Sequence, residues 1–465
     1  MFVTNCFISE IAKHKYLRSD VKYQRTIASQ AHADFALVKD LFYIINGSVQ
    51  TKYYSEEETG VSYVRVGDIS YKYGISNEKM MYLNDDCCIA EDKQLRKNDL
   101  VLATIGTVGK IGLVEEFSGG TFSNNTVCLR PKSVELNSYF YEKLLQSDYY
   151  IGYIFGVVSQ KAQPNLQQYD LENIRIPIID KDNIENCVAD CKRIDKKIME
   201  LKEQARPIQA LIDSVFSREF GFDYTKLEEL KASKRFIVKL SDFSNNPDLR
   251  FSTKFHRSAG AFVMEQLQGI TNKKIKHYLA EPIVLGESVS PNDYFDDGEY
   301  FYISMATIKN WRFESEDAKR VSKAYSDIKQ AKTIRRNDIL LARSGEGTIG
   351  KVALIDNEDV RGVFADFTMR IRLTNYNGLF AYYYFRTAFF QYLIEVYKKG
   401  LGNNTNIFPS VVREFPLPDI SLSEQQRIVN EIKAEIEKQD LIKAKIAELR
   451  GQIDAIIENA LRNPL

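Results

Sequence analysis

A long internal repeat constrains the architecture of this chain more than any local pattern does. The stretch LRKNDLVLATIGTVGKIGLVEE (95–116) reappears as IRRNDILLARSGEGTIGKVALIDN (334–357), with two residues added at the tip of the loop. Downstream, FSNNTVCLRP (122–131) pairs with FADFTMRIRL (364–373). Because the paired segments follow one another in the same order, the sequence predicts two similar domains that arose by duplication.

Each copy ends in a helical pattern whose apolar residues alternate at spacings of three and four, as in a coiled-coil seam. A narrow apolar stripe flanked by charge needs a partner in water, and the two seams match in register. We therefore predict that the two helices pair with each other; packing of each helix on its own domain is the alternative. The predicted seam residues are Ile194, Ile198, Leu201, Ile208, Ile212 and Val215 in the first helix and Ile442, Ile446, Leu449, Ile453 and Ile456 in the second.

The pattern divides the chain into domains and spacer helices. Pro207 lies inside the first helix, where it removes a backbone hydrogen bond and predicts a kink. The many Tyr and Phe of 137–155 and 378–397 stand at helical spacing, which favours a core role over stacking on nucleic acid. The predicted divisions are a first domain (1–182), a first spacer helix (183–220), a charged linker (221–245), a second domain (246–420) and a second spacer helix (421–463).

Composition limits the classes of function that the chain can have. The 465 residues include 63 Lys plus Arg and 63 Asp plus Glu, so any basic surface for nucleic acid must be local. The six Cys and four His do not form a zinc-binding spacing. There is no apolar run of membrane-spanning length and no signal-peptide pattern, so we expect a cytoplasmic protein that binds no membrane.

No catalytic motif is recognisable in the sequence. Gly345, Gly350 and Lys351 have the spacing of a phosphate-binding loop, but Val352 replaces the hydroxyl that would hold magnesium. In addition, a strand rather than a helix is predicted after this loop. The segment therefore predicts no nucleotide-binding site.

Two kinds of loop carry groups that suit DNA. The glycine-rich tips 104–110 and 343–351 offer backbone N–H groups, hydroxyls and a lysine to phosphate oxygens, with a tight structural hairpin as the alternative. The polar loops 157–168 and 398–410 are rich in Gln and Asn, which can read adenine edges, with ordinary solvated polarity as the alternative. The sequence therefore predicts a binding function rather than a catalytic one.

The sequence resembles the specificity subunit of a Type I restriction-modification system. The resemblance rests on the duplicated hairpins KNDLVLATIGTVGKIGLV and RNDILLARSGEGTIGKVALI, on QPNLQQYDLENIRIPI and on FPLPDISLSEQQRIVNEI at the start of the last helix. It spans nearly the whole chain. It implies an α+β fold in which two target recognition domains of mixed β-sheet and helices are separated by an antiparallel coiled coil, with a pseudo-twofold internal repeat.

The resemblance also implies partners and a division of labour. Each domain would read one half of a split DNA sequence, and the helices would act as a ruler that fixes the gap between the halves. The chain would be non-catalytic, would bind double-stranded DNA and two methyltransferase subunits, and would join restriction or translocase subunits in the complete enzyme. S-adenosylmethionine is expected on the methyltransferase, and neither a cofactor nor a metal on this chain.

Three alternative interpretations remain. One is the specificity subunit of a related Type IIB-like restriction-modification enzyme. Another is a protein-only coiled-coil adaptor, which the zero net charge favours. The third is a hidden nuclease built on Asp68, Asp99 and Asp338, although two of these acids follow Asn in a repeated turn, where Asp usually serves the backbone.

Comparison of the two copies sorts the candidate DNA-binding residues. Positions that are alike should serve the scaffold or the phosphates, whereas positions that differ should read different bases. We expect base readout by Arg65, Asn124, Asn125, Gln160 and Gln163 in the first domain and by Arg343, Asp366, Asn403 and Asn404 in the second. Further DNA contacts are expected from Thr104, Thr107, Lys110, Lys161, Ser344, Lys351 and Lys399.

Overall fold

The computed structural model describes residues 22–23, 26, 34–55, 58, 61–77, 80–115, 119–158, 163–233, 235–244, 250, 252–316, 318–400 and 402–462. The chain divides into two units, one of residues 1–204 with 442–465 and the other of residues 205–441. Each unit contains a globular head together with parts of the long helices. We call residues 34–180 the first head and residues 252–420 the second head.

The first head is built on an antiparallel sheet whose central strand is buried on both faces. Leu100 and Leu102 belong to the core that includes the helices of the head, whereas Val101 belongs to a separate, smaller core. The strand therefore has an unbroken apolar sequence instead of an alternating one. In spatial order the strands of this sheet are Phe42–Asn46, Thr126–Pro131, Leu100–Ala103 and Ile111–Leu113. A second sheet has the order Thr121–Phe122, Val61–Val64, Met81–Leu83 and Tyr54–Ser55.

The second head repeats this topology. Tyr300–Ile303 pairs in parallel with Gly362–Phe364, as Val61–Val64 does with Thr121–Phe122 in the first head. The main sheets have the same strand order in both heads, and so do three strands of the second sheets, which confirms the predicted internal repeat. The main sheet of the second head has the order Val284–Leu285, Thr368–Ile371, Ile339–Ala342 and Val352–Leu354, and its second sheet the order Arg320–Val321, Tyr300–Ile303 and Gly362–Phe364.

Paired helices rich in aromatic residues cover the main sheet of each head. Their N-termini are capped by Asn137 and Ser147 in the first head and by Asn377 and Thr387 in the second. Capping side chains at matching places start the helices alike in both copies. Most of the aromatic rings lie in the two cores, as predicted. The helices are Ser138–Gln146 and Asp148–Val157, and Gly378–Arg386 and Ala388–Tyr397.

Shorter elements complete the two units. No helix in the described ranges is both long and apolar enough to cross a membrane. The short strand pairs are Phe35–Leu37 with Arg175–Pro177, Ile69–Ser70 with Gly74–Ile75, and Ile308–Lys309 with Arg312–Phe313. The short helices include Val38–Leu41, Gln168–Glu172, Leu240–Ser244, Thr253–His256, Ser258–Ile270, Lys323–Ile328 and Pro409–Val412. Turns of 3₁₀-helix include Thr51–Tyr53, Val66–Asp68, Glu91–Lys93, Ile275–Tyr278, Pro291–Asp293, Met305–Thr307, Gln330–Lys332 and Gly402–Asn404.

The first spacer helix is broken rather than kinked. It forms two helices, Lys181–Gln204 and Ile208–Phe220, and the three residues between them are not helical. Pro207 has an extended backbone, with ψ of 134°, and precedes the second of these helices as its N-cap residue. Proline has no N–H to donate and its ring clashes with the preceding turn, so the bend predicted at this residue becomes a full interruption. The second spacer helix is continuous from Leu422 to Arg462.

The predicted linker of residues 221–245 is partly helical and packed. Asp223 caps the helix Tyr224–Ala232 by accepting a hydrogen bond from the amide of Lys226 at 2.8 Å. Leu227 of this helix is fully buried in the core of the second unit. Tyr224 and Leu230 of the same helix pack against this core. Three apolar residues among charged ones form too short a pattern to distinguish this helix from a linker in the sequence.

Within each unit, parts of the two spacer helices share a core. In the first unit, Ile194 and Ile198 lie in one core with Ile446, Leu449 and Ile453. The core of the second unit likewise contains Ile212, Val215, Ile428, Val429 and Ile432. The remaining predicted seam residues Leu201, Ile208, Ile442 and Ile456 are partly buried against these cores.

Hydrogen bonds and ion pairs in the second unit give the direction of the helix pair. Gln439 accepts a hydrogen bond from the amide of Arg206 at 2.7 Å. Farther along, Glu219 forms an ion pair with Arg427. Since residue numbers rise on one helix as they fall on the other, the helices are antiparallel.

Candidate nucleic-acid interface

Three loops meet at one place in the first head, and together they contain most of its predicted DNA-binding residues. The amide of Thr104 donates to the carbonyl of Asn125 at 3.0 Å, and the Thr104 carbonyl accepts from the amide of Leu166 at 2.8 Å. The amide of Gly106 donates to the carbonyl of Pro164 at 3.0 Å. We call residues 104–110, 123–126 and 163–166 the first loop cluster.

The second head contains the same arrangement, which we call the second loop cluster. It consists of residues 343–351, 365–368 and 405–407. Arg343 donates from its amide to the carbonyl of Phe367 at 2.9 Å and accepts at its carbonyl from the amide of Ile407 at 2.9 Å. In both heads, the fold thus brings the glycine-rich tip and the polar loop, which are distant in the sequence, into contact.

The glycines at the hairpin tips serve the backbone of the hairpin. Gly109 and Gly350 both have φ of 87°, a left-handed conformation that favours glycine. Their amides donate to the carbonyls of Ala103 and Ala342 at 3.0 and 2.8 Å. These two amides are therefore already used inside the protein, which favours the tight structural hairpin at these two positions.

Two predicted hydroxyl contacts also point inward. Thr104 lies in the first loop cluster and Ser344 in the second, and each is only 6 % exposed. Their side chains donate to the carbonyls of Asn125 and Thr405 at 3.3 and 3.2 Å. These hydroxyls hold the loops of each cluster together, so the prediction that they bind DNA is not supported.

Arg65 carries positive charge beside the first loop cluster, and Lys110 carries positive charge within it. Arg65 forms two hydrogen bonds with the carboxylate of Asp68, each of 3.1 Å, and is about one-third exposed. These hydrogen bonds raise the pKa of Arg65 and fix its orientation. The ammonium of Lys110 lies 3.4 Å from the carbonyl of Val66 and 5.9 Å from the ring centre of Tyr71.

Arg343 carries positive charge in the second loop cluster, where its guanidinium is held from two sides. Its Nε donates to the carbonyl of Asp366 at 2.9 Å, and one terminal nitrogen donates to the Asn406 side chain at 3.1 Å. The carboxylate of Asp366 accepts from the hydroxyl of Ser288 at 2.9 Å. Lys351 of the same hairpin is partly exposed. This head thus presents one guanidinium whose orientation is fixed by hydrogen bonds and one partly exposed lysine.

The structure describes only some of the other predicted contact residues, and these differ in exposure. Gln160 and Lys161 lie outside the described residues, and so does the side chain of Asn403. Asn125 is half-buried, and its carbonyl is taken up by the hairpin tip. The exposed candidates are Thr107, Asn124, Gln163, Lys399 and Asn404.

Each of the acids considered for a nuclease forms an ion pair with an arginine of its own head. Asp99 is buried, accepts from the amide of Arg96 at 2.8 Å and forms an ion pair with Arg130 at 2.8 Å. Asp338 has the matching arrangement with Arg335 and Arg372 in the second head. Within the described ranges, no group of three His, Cys, Asp or Glu residues could hold a metal ion. Both carboxylates stabilise the turn that precedes the central strand.

Phe367 is an exposed residue of the second loop cluster that the sequence patterns do not indicate. Phe367 is 45 % exposed, and the guanidinium of Arg343 lies 5.8 Å from the centre of its ring. Its counterpart in the first head is Asn125. The aligned segments FSNNT and FADFT contain the signal, because they place an aromatic ring where the other copy has an amide.

Comparison with solved structures finds similar chains at low sequence identity. One, from a study of complex assembly and conformational transition of the type I R-M system, is 16% identical with a TM-score of 0.48, covering 94% of this chain and 99% of that one. The S subunit of a Type I restriction-modification system from M. genitalium is 13% identical with a TM-score of 0.43, covering 92% and 96%. The HsdS subunit from Thermoanaerobacter tengcongensis is 15% identical with a TM-score of 0.36, covering 93% and 97%. A comparison with curated proteins finds no match.

The sequence matches the model of one protein family in both halves. The family is described as the Type I restriction modification DNA specificity domain, and the matched residues are 34–206 and 283–450. Both matches start in a head and run into a spacer helix, so they follow the internal repeat. The chain therefore belongs to the family of Type I restriction modification DNA specificity domains and is a non-catalytic DNA sequence-recognition subunit.

Proposed function

We propose that each head reads one half of a split DNA sequence with its loop cluster, and that the spacer helices fix the gap between the halves. The observation that carries this proposal is that the same loop cluster is built twice on the same scaffold, with different side chains at matching positions. Two loop clusters with different side chains on the same scaffold suit a DNA target whose two halves differ in base sequence.

The matching and differing positions have distinct physical roles. Asn98 and Asn337 have φ of 72° and 69°, and each precedes a buried aspartate that forms an ion pair with an arginine. These residues hold the scaffold alike in both heads. At the surface of the clusters, however, Asn125 corresponds to Phe367, and Asn124 to Asp366. Side chains with such different hydrogen-bonding capacity suit different bases.

The proposal includes partners. Two methyltransferase subunits would bind the chain and supply the S-adenosylmethionine, while this chain supplies the sequence recognition. Restriction or translocase subunits would join the same complex. The proposal places the chain in the cytoplasm, together with the DNA that it reads.

Replacing Lys110 or Lys351 with alanine is expected to weaken DNA binding about equally for all sequences. Each lysine extends from a loop cluster and suits a phosphate contact, which carries no base information. The plot of log affinity against log salt concentration should become shallower by about 1 for each lysine removed. Binding of the chain with its methyltransferase partner, measured at several salt concentrations, tests this.

Lys226 provides the matched control for these two variants. It lies on the helix Tyr224–Ala232, outside both loop clusters, and its replacement should leave the slope unchanged. DNA binding by the wild-type complex without any salt dependence would refute the phosphate contacts, and no DNA binding at all would favour a protein-only adaptor.

Shortening both spacer helices by one heptad is expected to shorten the gap in the DNA target. Residues 198–204 and 441–447 can be removed together, because the helices are antiparallel and the apolar seam keeps its seven-residue period. Seven helical residues span roughly 10 Å, which corresponds to about three base pairs. Sequencing of methylated adenines in cells that carry the variant gives the new gap, and the bases of the two half-sites serve as the internal control. An unchanged gap would contradict the ruler.

A further inference from the structure

The turn 365–368 of the second head holds an exposed aromatic ring on a fixed backbone. The amide of Ala365 donates to the carbonyl of Ile303 at 2.9 Å, and the hydroxyl of Thr368 donates back to the Ala365 carbonyl at 2.7 Å. The carbonyl of Phe367 accepts from the amide of Arg343 at 2.9 Å. The turn is therefore pinned on both sides of Phe367, and the ring is presented from a set position.

The surroundings of the ring distinguish it from an ordinary exposed phenylalanine. A single apolar residue at the surface usually needs no explanation. Phe367, however, stands in the loop cluster beside Arg343, whose guanidinium is held by the Asp366 carbonyl and by Asn406. An apolar face and a fixed hydrogen-bond donor thus lie side by side, which is the combination that reads base edges in the major groove.

We propose that Phe367 is a specificity-determining residue that packs on the C5 methyl group of a thymine in the half-site read by the second head. This inference rests on the proposed function, in which that head reads half of the target. Phenylalanine has no hydrogen-bonding group, and the thymine methyl is the apolar group that base pairs present in the major groove. Asn125 at the matching position can instead hydrogen-bond a base edge. The two heads therefore differ in the chemistry of readout at this position.

Replacing Phe367 with asparagine, the residue at the matching position of the first head, should remove the base preference at one position of one half-site. The complex of the variant with its methyltransferase is tested by sequencing the methylated sites in cells. We expect the thymine to be lost from the consensus at that position, while the other half-site and the gap stay the same. The control is Phe295→Asn, because Phe295 is 50 % exposed and lies outside the loop cluster. The sites methylated by this variant should have the same consensus sequence as those of the wild type.

A chemical test isolates the methyl group. Each thymine of the half-site is replaced in turn by deoxyuridine, which lacks only the methyl, and the affinity of the complex is measured. Burial of one methyl corresponds to about fourfold in affinity, so one deoxyuridine should weaken wild-type binding by about that factor. The same substitution should leave the affinity of the Phe367→Asn complex unchanged.

The outcomes separate this inference from the proposed function. A half-site without thymine, or equal deoxyuridine effects in the wild type and the variant, would refute the methyl contact. Sensitivity to unstacking of a base step without any methyl effect would also refute it and would indicate that the ring is a wedge between bases. A wild-type complex that methylates no split sequence would refute the proposed function itself.

Discussion

Replacing Asp195 with alanine is expected to destabilise the helices of the first unit by about 3–5 kcal/mol. Asp195 lies on the helix Lys181–Gln204, and its carboxylate accepts a hydrogen bond from the Tyr139 hydroxyl at 2.7 Å. It also forms ion pairs with Lys143 at 3.0 Å and with Arg450 of the C-terminal helix at 2.9 Å. Alanine would leave two largely buried cations without this shared partner.

The effect of Asp195 depends on pH in a definite direction. Burial would raise the pKa of Asp195, but the charges of Lys143 and Arg450 outweigh burial and hold the pKa below its ordinary value. A carboxyl whose pKa is lowered by folding stabilises the folded state above its unfolded pKa of about 3.9 and loses that contribution as the pH falls through the folded pKa. The difference between the wild type and Asp195→Ala should therefore be full at neutral pH and should shrink below about pH 4.

Hydrogen exchange is the suitable measurement, because a chain of two units does not unfold in one step. Peptides that cover Ser138–Gln146 and Lys181–Gln204 should exchange faster in Asp195→Ala. The control is Asp190→Ala on the same helix. Asp190 forms an exposed ion pair with Arg193 at 3.0 Å, whose loss should cost less than about 1 kcal/mol. Equal effects of the two variants would contradict a stabilising role for the buried cluster.

The architecture could be predicted because apolar periodicity and duplication are properties of the sequence itself. The paired strands around Leu100 and Ile339 and the buried seams follow directly from the spacing of apolar residues. The two copies also supported each other, since a pattern seen twice in the same order is unlike a chance match. The interruption at Pro207 exceeded the prediction only in degree.

The details of the site could not be predicted because they depend on side-chain direction and on contacts between distant residues. Asp195 resembles any charged residue on the solvent face of a helix, and its partners Tyr139 and Arg450 are far away in the sequence. Thr104 and Ser344 resembled ligand hydroxyls, but the fold turns them toward backbone carbonyls. A sequence gives the inventory of polar groups and not which of them are already paired.

Two matching glycines in the heads tolerate no side chain. A Cβ atom added to Gly47 would lie 2.0 Å from the carbonyl oxygen of Ser123, and one added to Gly286 would lie 2.1 Å from that of Ala365. These carbonyls cannot move away easily, because each accepts hydrogen bonds from both the amide and the hydroxyl of the threonine three residues later. The glycines therefore set how closely the chain passes the turns that carry Asn125 and Phe367.

Replacing either glycine with alanine is expected to destabilise its own head by about 3 kcal/mol, because the backbone must shift to admit the methyl group. Local hydrogen exchange measures this, and the matched controls are Gly152→Ala and Gly269→Ala. Both control glycines lie in helices with nothing within 4 Å of an added Cβ, so alanine should be neutral or stabilise by up to about 1 kcal/mol. The displaced turns should also change which DNA bases are recognised. Gly47→Ala should reduce base specificity only in the half-site read by the first head, and Gly286→Ala only in the half-site read by the second. Relaxation of both half-sites by a single variant would contradict independent reading by the two heads.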